Sequence, residues 1–241
     1  FGTPVVFESA SGGVLGSTFD SNANKVVIAF RDGGDSDKGK GIVGTVSGTS
    51  ISFGTATEFQ DNARAGYGGA VFDSTNNKVV FNISASTDGG NNFKGLSVVG
   101  TVSGTSISFG SVATFEAGEP KNISAAFDSG VGKVAVSYMD DADSDKGKVV
   151  MGIVSGTSIT FEDPVTFESG PITKNTGTAF DSSAGRVVVS FADDGDSSKG
   201  KSVVLTNDVG GKVKAVAESA ASAGTPAVFE NAEVADNFVV Y

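Results

Sequence analysis

The sequence repeats itself, and this periodicity restricts the fold more than any other feature of the chain. One phrase, V-S-G-T-S-I-S/T-F, ends at Phe53, Phe109 and Phe161, which are 56 and 52 residues apart. A second phrase, F-D-S with a short turn and a basic residue, begins at Phe19 and returns at spacings of 53, 55 and 53 residues. A third phrase, F-E or F-Q, recurs at Phe7, Phe59, Phe115, Phe167 and, less closely, Phe229. A period of this length predicts a tandem array of supersecondary units.

Each repeat has the pattern of four short strands. In the first repeat, residues 14–20 alternate as one strand, and the continuous apolar run at residues 25–30 predicts a second strand that is buried on both faces. Residues 39–46 predict a third strand, and residues 50–59 predict a long fourth strand that bends at Gly54. Four antiparallel strands in about 53 residues predict the blades of an all-β propeller. Because the chain has no Trp, the recurring Phe residues are expected to fill the space between blades.

The chain, residues 1–241, is interpreted as a single β-propeller domain with four complete units and a partial fifth. The units are residues 1–52, 53–108, 109–160 and 161–208, and residues 209–241 form a divergent closing or partial blade. Two modes of closure are compatible with the pattern. Residues 1–8 have the sequence of a fourth strand and can complete the last blade, whereas residues 224–230 restart the unit. Because the first residue is Phe1 and not Met, the chain is expected to be processed or excerpted from a longer one.

The residue types that the chain lacks exclude several functions. It has no His and no Cys, which excludes a Ser-His-Asp triad, a thiol nucleophile, an imidazole or thiolate zinc site and a disulfide. Seventeen basic and 28 acidic side chains give a net charge of −11, which argues against nucleic acid as a partner. No apolar run approaches the length of a spanning helix, so membrane insertion is not expected.

Because successive strands of a unit are antiparallel, their connections lie alternately at its two ends. The turns after the first and third strands are short and nearly identical, whereas the loops at the other end, the top face, vary between units. Variable loops on a repeated scaffold predict a binding surface, and mixed polar groups with one aromatic ring suit a glycan. Ordinary solvated loops are the alternative interpretation. The candidate ligand-binding residues are Arg64, Tyr67, Glu119, Lys121, Asn122, Lys174 and Asn175.

Acidic loops after the second strand are the sharpest local pattern of the top face. They read D-G-G-D-S-D-K-G, D-D-A-D-S-D-K-G and D-D-G-D-S-S-K-G in the first, third and fourth units. Alternating carboxylates can supply oxygen ligands to calcium, but Lys146 and Gly152 replace the Gly and Glu of a helix-flanked calcium loop. A hydrophilic hairpin neutralised by lysines is the alternative, and no cofactor is required. The candidate metal ligands are Asp32, Asp35, Asp37, Asp141, Asp143, Asp145, Asp194 and Asp196.

An enzymatic interpretation as a glycosidase or lyase would rest on a pair of carboxylates. The candidates are Glu8, Glu116, Glu119 and Glu168. Three of these four belong to the recurring F-E phrase, and a side chain that recurs in each unit is expected to serve the scaffold. Only three arginines are available for a sialidase-like cluster, and one of them, Arg186, follows a turn of the opposite end. The chain is therefore predicted not to be an enzyme.

The phrases V-G-T-V-S-G-T-S-I-S-F-G-T, V-V-F-E-S and F-D-S-N-A-N-K-V-V-I-A-F-R-D-G-G together resemble a repeat of tail-fibre and virion-associated proteins of marine and cyanobacterial phages. The resemblance covers residues 1–204 and supplies no catalytic motif. It implies a location on the virion surface or outside the cell, and a role in attachment or in spacing. The leading hypothesis is a non-enzymatic adhesion module that recognises a host cell-surface glycan through the top face. A decoration domain that contacts other virion or appendage proteins is the alternative, and a homo-oligomer within an appendage is compatible with both.

Overall fold

The computed structural model of the chain describes residues 1–61, 63–86, 90, 92–207 and 213–217, with the backbone alone described at residues 64–67, 174, 175, 207 and 213–217. Within these ranges the regular structure is antiparallel β-strand, apart from single 3-10 turns at Asp141–Asp143 and Asp194–Asp196. The all-β class predicted from the repeat is confirmed. No helix in this part of the chain is long and apolar enough to cross a membrane.

The four sequence repeats fold into four units that have the same order of strands. Unit 1 comprises β1 (Gly12–Asp20), β2 (Lys25–Asp32), β3 (Lys38–Ser47), β4 (Ser50–Phe53) and β5 (Thr57–Gln60). Unit 2 comprises β6 (Ala63–Asp73), β7 (Lys78–Ser86), β8 (Phe93–Ser103), β9 (Ser106–Phe109) and β10 (Ala113–Glu116). Unit 3 comprises β11 (Pro120–Asp128), β12 (Lys133–Asp140), β13 (Lys146–Ser155), β14 (Ser158–Phe161) and the first part of β15 (Val165–Asp181). Unit 4 comprises the remainder of β15, β16 (Arg186–Asp193), β17 (Lys199–Asn207) and β18 (Val213–Ala217).

Units 1 and 2 each form a five-stranded antiparallel sheet, and units 3 and 4 together form one eight-stranded antiparallel sheet; in all of them neighbouring strands mostly follow the order of the chain. In unit 1, β1 pairs with β2 and β2 with β3, and both β4 and β5 pair with β3. The predicted fourth strand is therefore divided where the sequence predicts a bend at Gly54. In unit 4, β18 pairs with β17, so this unit extends beyond the predicted boundary at residue 208. The strand β15 belongs to two units because it pairs first with β13 and then with β16.

The F-D-S phrase forms the turn between the first two strands of each unit. In unit 1, Asp20 accepts hydrogen bonds from the backbone N–H groups of Asn22 and Ala23, at 3.0 and 2.8 Å. Asn24 then adopts a left-handed conformation, φ 55°, which Asn and Gly tolerate best. The corresponding aspartates of the other units, Asp73, Asp128 and Asp181, accept equivalent bonds. The turn is stabilised by its own residues, which explains why its sequence hardly varies.

The hydrophobic cores lie between units. Three clusters of buried side chains join unit 1 to unit 2, unit 2 to unit 3, and unit 3 to unit 4. In the first cluster, Val27 of β2 packs with Phe81 of β7, whose ring centroid lies 5.3 and 5.6 Å from those of Phe59 and Phe109. Phenylalanine fills the space between units, as the sequence predicts. We name the sheet face that is directed to the following unit the forward face, and the other the backward face.

The first strands of the four units, β1, β6, β11 and β15, lie side by side. A Cβ atom on Gly16 would lie 2.7 Å from the backbone nitrogen of Ala70, and a Cβ atom on Gly68 would lie 2.8 Å from the carbonyl oxygen of Leu15. Such distances are too short for any side chain, so glycine is required where these two backbones meet. Because β11 lies beside β6 and β15 lies beside β11, the four first strands are successive neighbours and have their top ends on the same side.

Candidate binding surface at the top face

The loops after the second strands and the segments before the first strands lie together at the top face, as the antiparallel order of the strands predicts. Gly33, after β2, donates its backbone N–H to the carbonyl oxygen of Ser11, before β1, at 2.8 Å. The carbonyl oxygen of Asp37 accepts a hydrogen bond from the backbone of Ala63, also at 2.8 Å, and thereby joins unit 1 to unit 2. The top face therefore continues from one unit to the next.

The variable segments of this face are irregular parts of strands, which corrects the sequence prediction of loops. Residues 60–68, 117–122 and 169–177 are predicted as loops, but β6 begins at Ala63, β11 begins at Pro120, and β15 continues through residues 169–177. A strand can keep its ladder on both sides of an insertion when the extra residues form a bulge. The prediction of a loop holds at residues 117–119, which lie outside any strand. It was wrong at residues 63–68, 120–122 and 169–177, because polar composition does not distinguish a bulge from a loop.

The bulges of the first strands differ in length. From Ala63 to Gly68, β6 advances five residues while β7 advances two, so three residues are extra. From Thr173 to Gly177, β15 advances four residues against two in β16, so two are extra. The same subtraction gives one extra residue in β11, three against two, and one in β1, two against one. The first strands therefore pair alike between the bulge and the F-D-S turn, but they differ in backbone conformation at the bulge.

Five of the seven candidate ligand-binding residues fall within these bulges. Arg64 and Tyr67 lie in the bulge of β6, Asn122 in that of β11, and Lys174 and Asn175 in that of β15. Except for Asn122, their side chains lie outside the described part of the chain. The backbone nevertheless brings all five positions to neighbouring strands at one end of the molecule.

Asn122 has a structural role in addition to its place in the bulge. It adopts a left-handed conformation, φ 53°, and its side-chain amide donates to the sulfur of Met139 at 3.7 Å. The backbone carbonyl oxygen of Asn122 accepts a hydrogen bond from the hydroxyl of Thr176 in the neighbouring bulge. Asn122 therefore connects two bulges, and its side chain is directed toward a core residue, which does not favour the predicted contact with a ligand.

Hydroxyl groups below the bulges connect the first two strands of unit 3 to the first strand of unit 4, and the sequence prediction did not include them. The hydroxyl of Ser137 donates to that of Thr176 at 3.0 Å, and the backbone N–H of Thr178 donates to Ser124 Oγ at 3.0 Å. These groups hold adjacent strands in register while the ends above them vary. The available signal was the presence of Ser and Thr within otherwise apolar strands.

The acidic loops are cross-linked by lysines. In unit 1, Lys40 Nζ lies 2.7 Å from a carboxylate oxygen of Asp32 and 2.7 Å from one of Asp35. Equivalent ion pairs join Lys148 to Asp140 and Asp143 in unit 3, and Lys201 to Asp193 and Asp196 in unit 4. Among the described residues, no group of three or more acidic side chains is arranged to hold a metal ion. The hairpin interpretation explains these contacts, and calcium binding stays a prediction.

The ion pairs keep the loops charged and balanced. A hydrogen bond from Lys40 holds the pKa values of Asp32 and Asp35 below their usual range, and the same bonds raise the pKa of Lys40. Burial alone would lower the pKa of Lys148, but its hydrogen bonds to Asp140 and Asp143 raise that pKa. These lysines and the two carboxylates of unit 1 are therefore ionised at neutral pH, and each positive charge faces negative ones.

Unit 3 departs from this balance at Asp141 and Asp145. Burial, and then a hydrogen bond to Asp141, raise the pKa of Asp145. Lys121, a candidate ligand-binding residue, forms an ion pair of 2.6 Å with Asp141. The carbonyl oxygen of Glu119 accepts a long hydrogen bond, 3.4 Å, from the backbone of Asp141. The structure therefore brings together two candidate ligand-binding residues and two candidate metal ligands at the margin of the bulges.

At the position of Asp145, units 1 and 4 have Asp37 and Ser198, and these side chains have other partners. In unit 4, Ser198 replaces the second carboxylate, and its hydroxyl donates to Asp194 at 2.9 Å. In unit 1, Asp37 forms an ion pair of 2.6 Å with Arg31. The two neighbouring carboxylates of unit 3 are therefore not repeated in the other two units: unit 4 has a hydroxyl donor at the position of Asp145, and unit 1 has Gly33 at the position of Asp141.

The glutamates of the F-E phrase stabilise turns. Each of the three that the structure describes accepts a hydrogen bond at Oε1 from the backbone N–H group two residues further along the chain. The acceptors Glu8, Glu116 and Glu168 lie 2.7, 2.9 and 3.0 Å from the nitrogen atoms of Ala10, Gly118 and Gly170. The second carboxylate oxygen of Glu116 accepts from the hydroxyl of Tyr138 at 2.8 Å. Their recurrence therefore has the structural cause that the sequence predicts.

Comparison with known proteins assigns no family: no protein-family model matches the chain, and no curated protein matches it at a significant level. The class of protein is therefore defined by the fold and by the top face alone. The chain is an all-β tandem-repeat protein in which antiparallel sheets pack face to face, and in which bulged strand ends, bordered by lysine-paired aspartates, gather at one end.

Proposed function

We propose that the chain is a non-enzymatic adhesion module whose top face binds a cell-surface glycan. The observation that carries this proposal is the set of unequal bulges on neighbouring first strands, above sheets that are otherwise paired alike. A bulge re-aims side chains without changing the ladder below it, and bulges are frequent beside binding sites. Variation confined to one end of a repeated scaffold is typical of a recognition surface.

We further propose that the four units are blades of a β-propeller. Three features support this arrangement: sheets that follow chain order, cores between successive sheets, and first strands that lie side by side. In a propeller the first strands are the innermost ones and surround the central axis. The four bulges would then surround the opening of that axis, where a ligand can contact several units at once.

The residue types in the bulges suit a sugar better than an ionic ligand. The guanidinium of Arg64 and the amide of Asn175 are planar hydrogen-bonding groups that match pairs of hydroxyls, and Tyr67 supplies a ring that can stack on a sugar face. The surrounding aspartates are paired with lysines, and the chain carries a net charge of −11. This charge favours neutral over polyanionic glycans. The setting is a virion surface or another extracellular appendage, in keeping with the resemblance to phage tail-fibre repeats.

A decoration domain that contacts other appendage proteins is the second candidate function. The observation that favours it is an apolar area on unit 1, where Val14, Phe19 and Val46 are 58, 52 and 57 % exposed. Exposed aliphatic and aromatic side chains of this kind suit contact with a protein.

A glycan array with the labelled chain tests the proposed function. We expect Arg64→Ala and Tyr67→Ala to weaken retention at least about tenfold, because a truncated binding residue leaves its partner unpaired. Arg186→Ala is the matched control, since Arg186 lies at the opposite end of the unit and donates to the backbone of Gly185. Retention of glycan by both variants at the level of the unmodified chain would contradict the proposal. Release of reducing ends from a retained glycan would contradict its non-enzymatic part.

A further inference from the structure

Each described contact between units uses the same ring and the same glycine. The Phe of the F-E phrase lies over a glycine of the third strand of its own unit, where an added Cβ would come within 2.8, 2.5 or 2.4 Å of the ring. The pairs are Phe59 over Gly39, Phe115 over Gly95, and Phe167 over Gly147. These three glycines are buried. The ring needs the space that a side chain would otherwise occupy.

The same rings also pack on the following unit. Their centroids lie 5.3, 5.4 and 5.0 Å from those of Phe81, Tyr138 and Phe191, which belong to the second strands of units 2, 3 and 4. Each ring therefore contacts both sheets across a core. A contact between units is complete only when the glycine of one unit and the aromatic ring of the next enclose the Phe between them.

Unit 1 carries one half of such a contact on its backward face. Phe7 lies 5.2 Å from Phe30 and 5.5 Å from Phe53, as its counterparts do in later units. However, residues 1–8 form no strand pairing with any described residue, and Val5 and Val6 are 44 and 76 % exposed. An open groove of about 270 Å³ runs beside Phe7. Within the part of the chain that the structure describes, no third strand lies beside this segment.

Unit 4 carries the other half on its forward face. Gly200 is the counterpart of the three buried glycines, but it is exposed, and no described atom lies within 4 Å of the position of its Cβ. Ser190 and Ser202 are exposed on the same face, although their counterparts in the middle units are buried. The exposed positions of this face have small side chains, as the forward face of unit 1 has at Ala29 and Gly41.

We propose that the forward face of unit 4 docks on the backward face of unit 1 of a second copy of this chain. In this contact Phe7 of one copy covers Gly200 of the other, and residues 5–8 pair with the first part of β17, ahead of the residues that pair with β18. The occupant is a second copy because, among the described residues, one and the same chain leaves both halves open. The contact is heterologous, so two copies can close a ring of eight units, and further copies can form a filament.

The register of the contact follows from unit 1, where Thr57 pairs with Gly41 of β3. Val5 is the counterpart of Thr57, and Ser202 is the counterpart of Gly41, so Val5 of one copy lies opposite Ser202 of the other. Paired residues on antiparallel strands have Cα atoms about 4.5–5.5 Å apart, which a disulfide can bridge. The chain has no native Cys to interfere.

The experiment measures mass by sedimentation over a range of concentrations. We expect multiples of the chain mass, and at least a tenfold weaker association for Phe7→Ala and for Gly200→Phe, where the new ring occupies the open position. Val131→Asp, on an exposed turn away from both faces, is the control that leaves association unchanged. A mixture of the two weakened variants retains one intact contact, so it should give dimers and no larger species. Circular dichroism verifies that each variant is folded.

Cysteine variants identify the contact directly. A mixture of Val5→Cys chains and Ser202→Cys chains should give a covalent dimer under mild oxidation, and neither chain alone should give this dimer. A chain with both changes that cross-links only to itself would overturn the proposal in favour of closure within one chain. A monomer at every concentration would also overturn it. So would normal association of Phe7→Ala combined with its loss in Phe229→Ala, because residues 224–230 repeat the phrase as G-T-P-A-V-F-E.

Discussion

The middle units and the end units differ in burial although their sequences are alike. The second strands of units 2 and 3, β7 and β12, are buried at every residue after their first lysine. In β2 the backward-face residues Val26 and Ile28 are only half-buried, and in β16 the forward-face residue Ser190 is exposed. The same pattern of residues is thus buried on two faces or on one, depending on how many neighbours the unit has.

This difference shows that a unit does not contain its own core. A two-faced apolar strand obtains its burial from the sheets before and after it, so stability is a sum of contributions from the units and from the contacts between them. Counting only described residues, the middle units make two such contacts, and the end units make one. Substitutions at equivalent positions should therefore have unequal effects along the array.

The largest difference is expected for phenylalanine. Phe81→Ala removes a fully buried ring from the core between units 1 and 2 and should lower the free energy of unfolding by about 4 kcal/mol. Phe19→Ala removes a half-exposed ring and should cost about 1 kcal/mol. Phe72, which is the counterpart of Phe19 in unit 2 and is half-buried, should fall between them. Urea denaturation at low protein concentration measures all three, and equal losses would refute the assignment of the core to the space between units.

The lysine pairs should give the next largest effect. Lys148→Met leaves the buried carboxylate of Asp140 without its cation and should cost about 2 kcal/mol, less than a fully buried pair because Lys148 is partly exposed. The same change at Lys201 of unit 4, whose side chain is more exposed, should have a smaller effect. Thermal denaturation of both variants tests the order, and a larger effect at Lys201 would contradict it. A chelator, added in parallel, should leave the melting temperature unchanged if the loops are hairpins without calcium.

Two equivalent glycines of the first strands, Gly16 and Gly177, should respond differently to substitution by alanine. A Cβ on Gly16 would meet the backbone of Ala70 in unit 2, so Gly16→Ala should cost about 1.5 kcal/mol by forcing the strands apart. Gly177 is the counterpart in unit 4, and no described atom lies within 4 Å of its Cβ position. Gly177→Ala should therefore change stability by no more than about 0.5 kcal/mol. Destabilisation of similar size in both variants would show that a following sheet covers unit 4.

The smallest effect concerns Asp145 of unit 3. Because the pKa of Asp145 is raised in the folded state, the folded chain holds a proton that the unfolded chain releases near pH 3.8, and stability falls as pH increases from that value to the raised one. Asp145→Ser imitates unit 4 and should remove this decrease, with a gain of about 0.5 kcal/mol at neutral pH. Denaturation between pH 3 and pH 7 measures the slope. Lys121 and Asp141 face the same group, so Lys121→Met serves as the control for their charges.

Much of a unit could be predicted from its own residues. The turn at Asp20 and the division of the fourth strand at Gly54 follow from local chemistry, so both are visible in the sequence. The bulges at residues 64–67 and 174–176 could not be predicted, because an insertion within a strand is recognised only when the pairing of its neighbour is known. The candidate residues were therefore found, but they were assigned to the wrong kind of structure.

The sequence by itself determined the period, the strand order of a unit and the chemistry of its turns, since these depend on residues close together in the chain. Only the tertiary structure decided which faces are covered, because burial is produced by sheets about 53 residues apart in sequence. Phe7 and Gly200 illustrate the difference: each repeats a residue that is enclosed elsewhere, and each lacks a neighbour on one side among the described residues. Identical phrases therefore have different surroundings, because hydrophobic burial depends on what lies across the core.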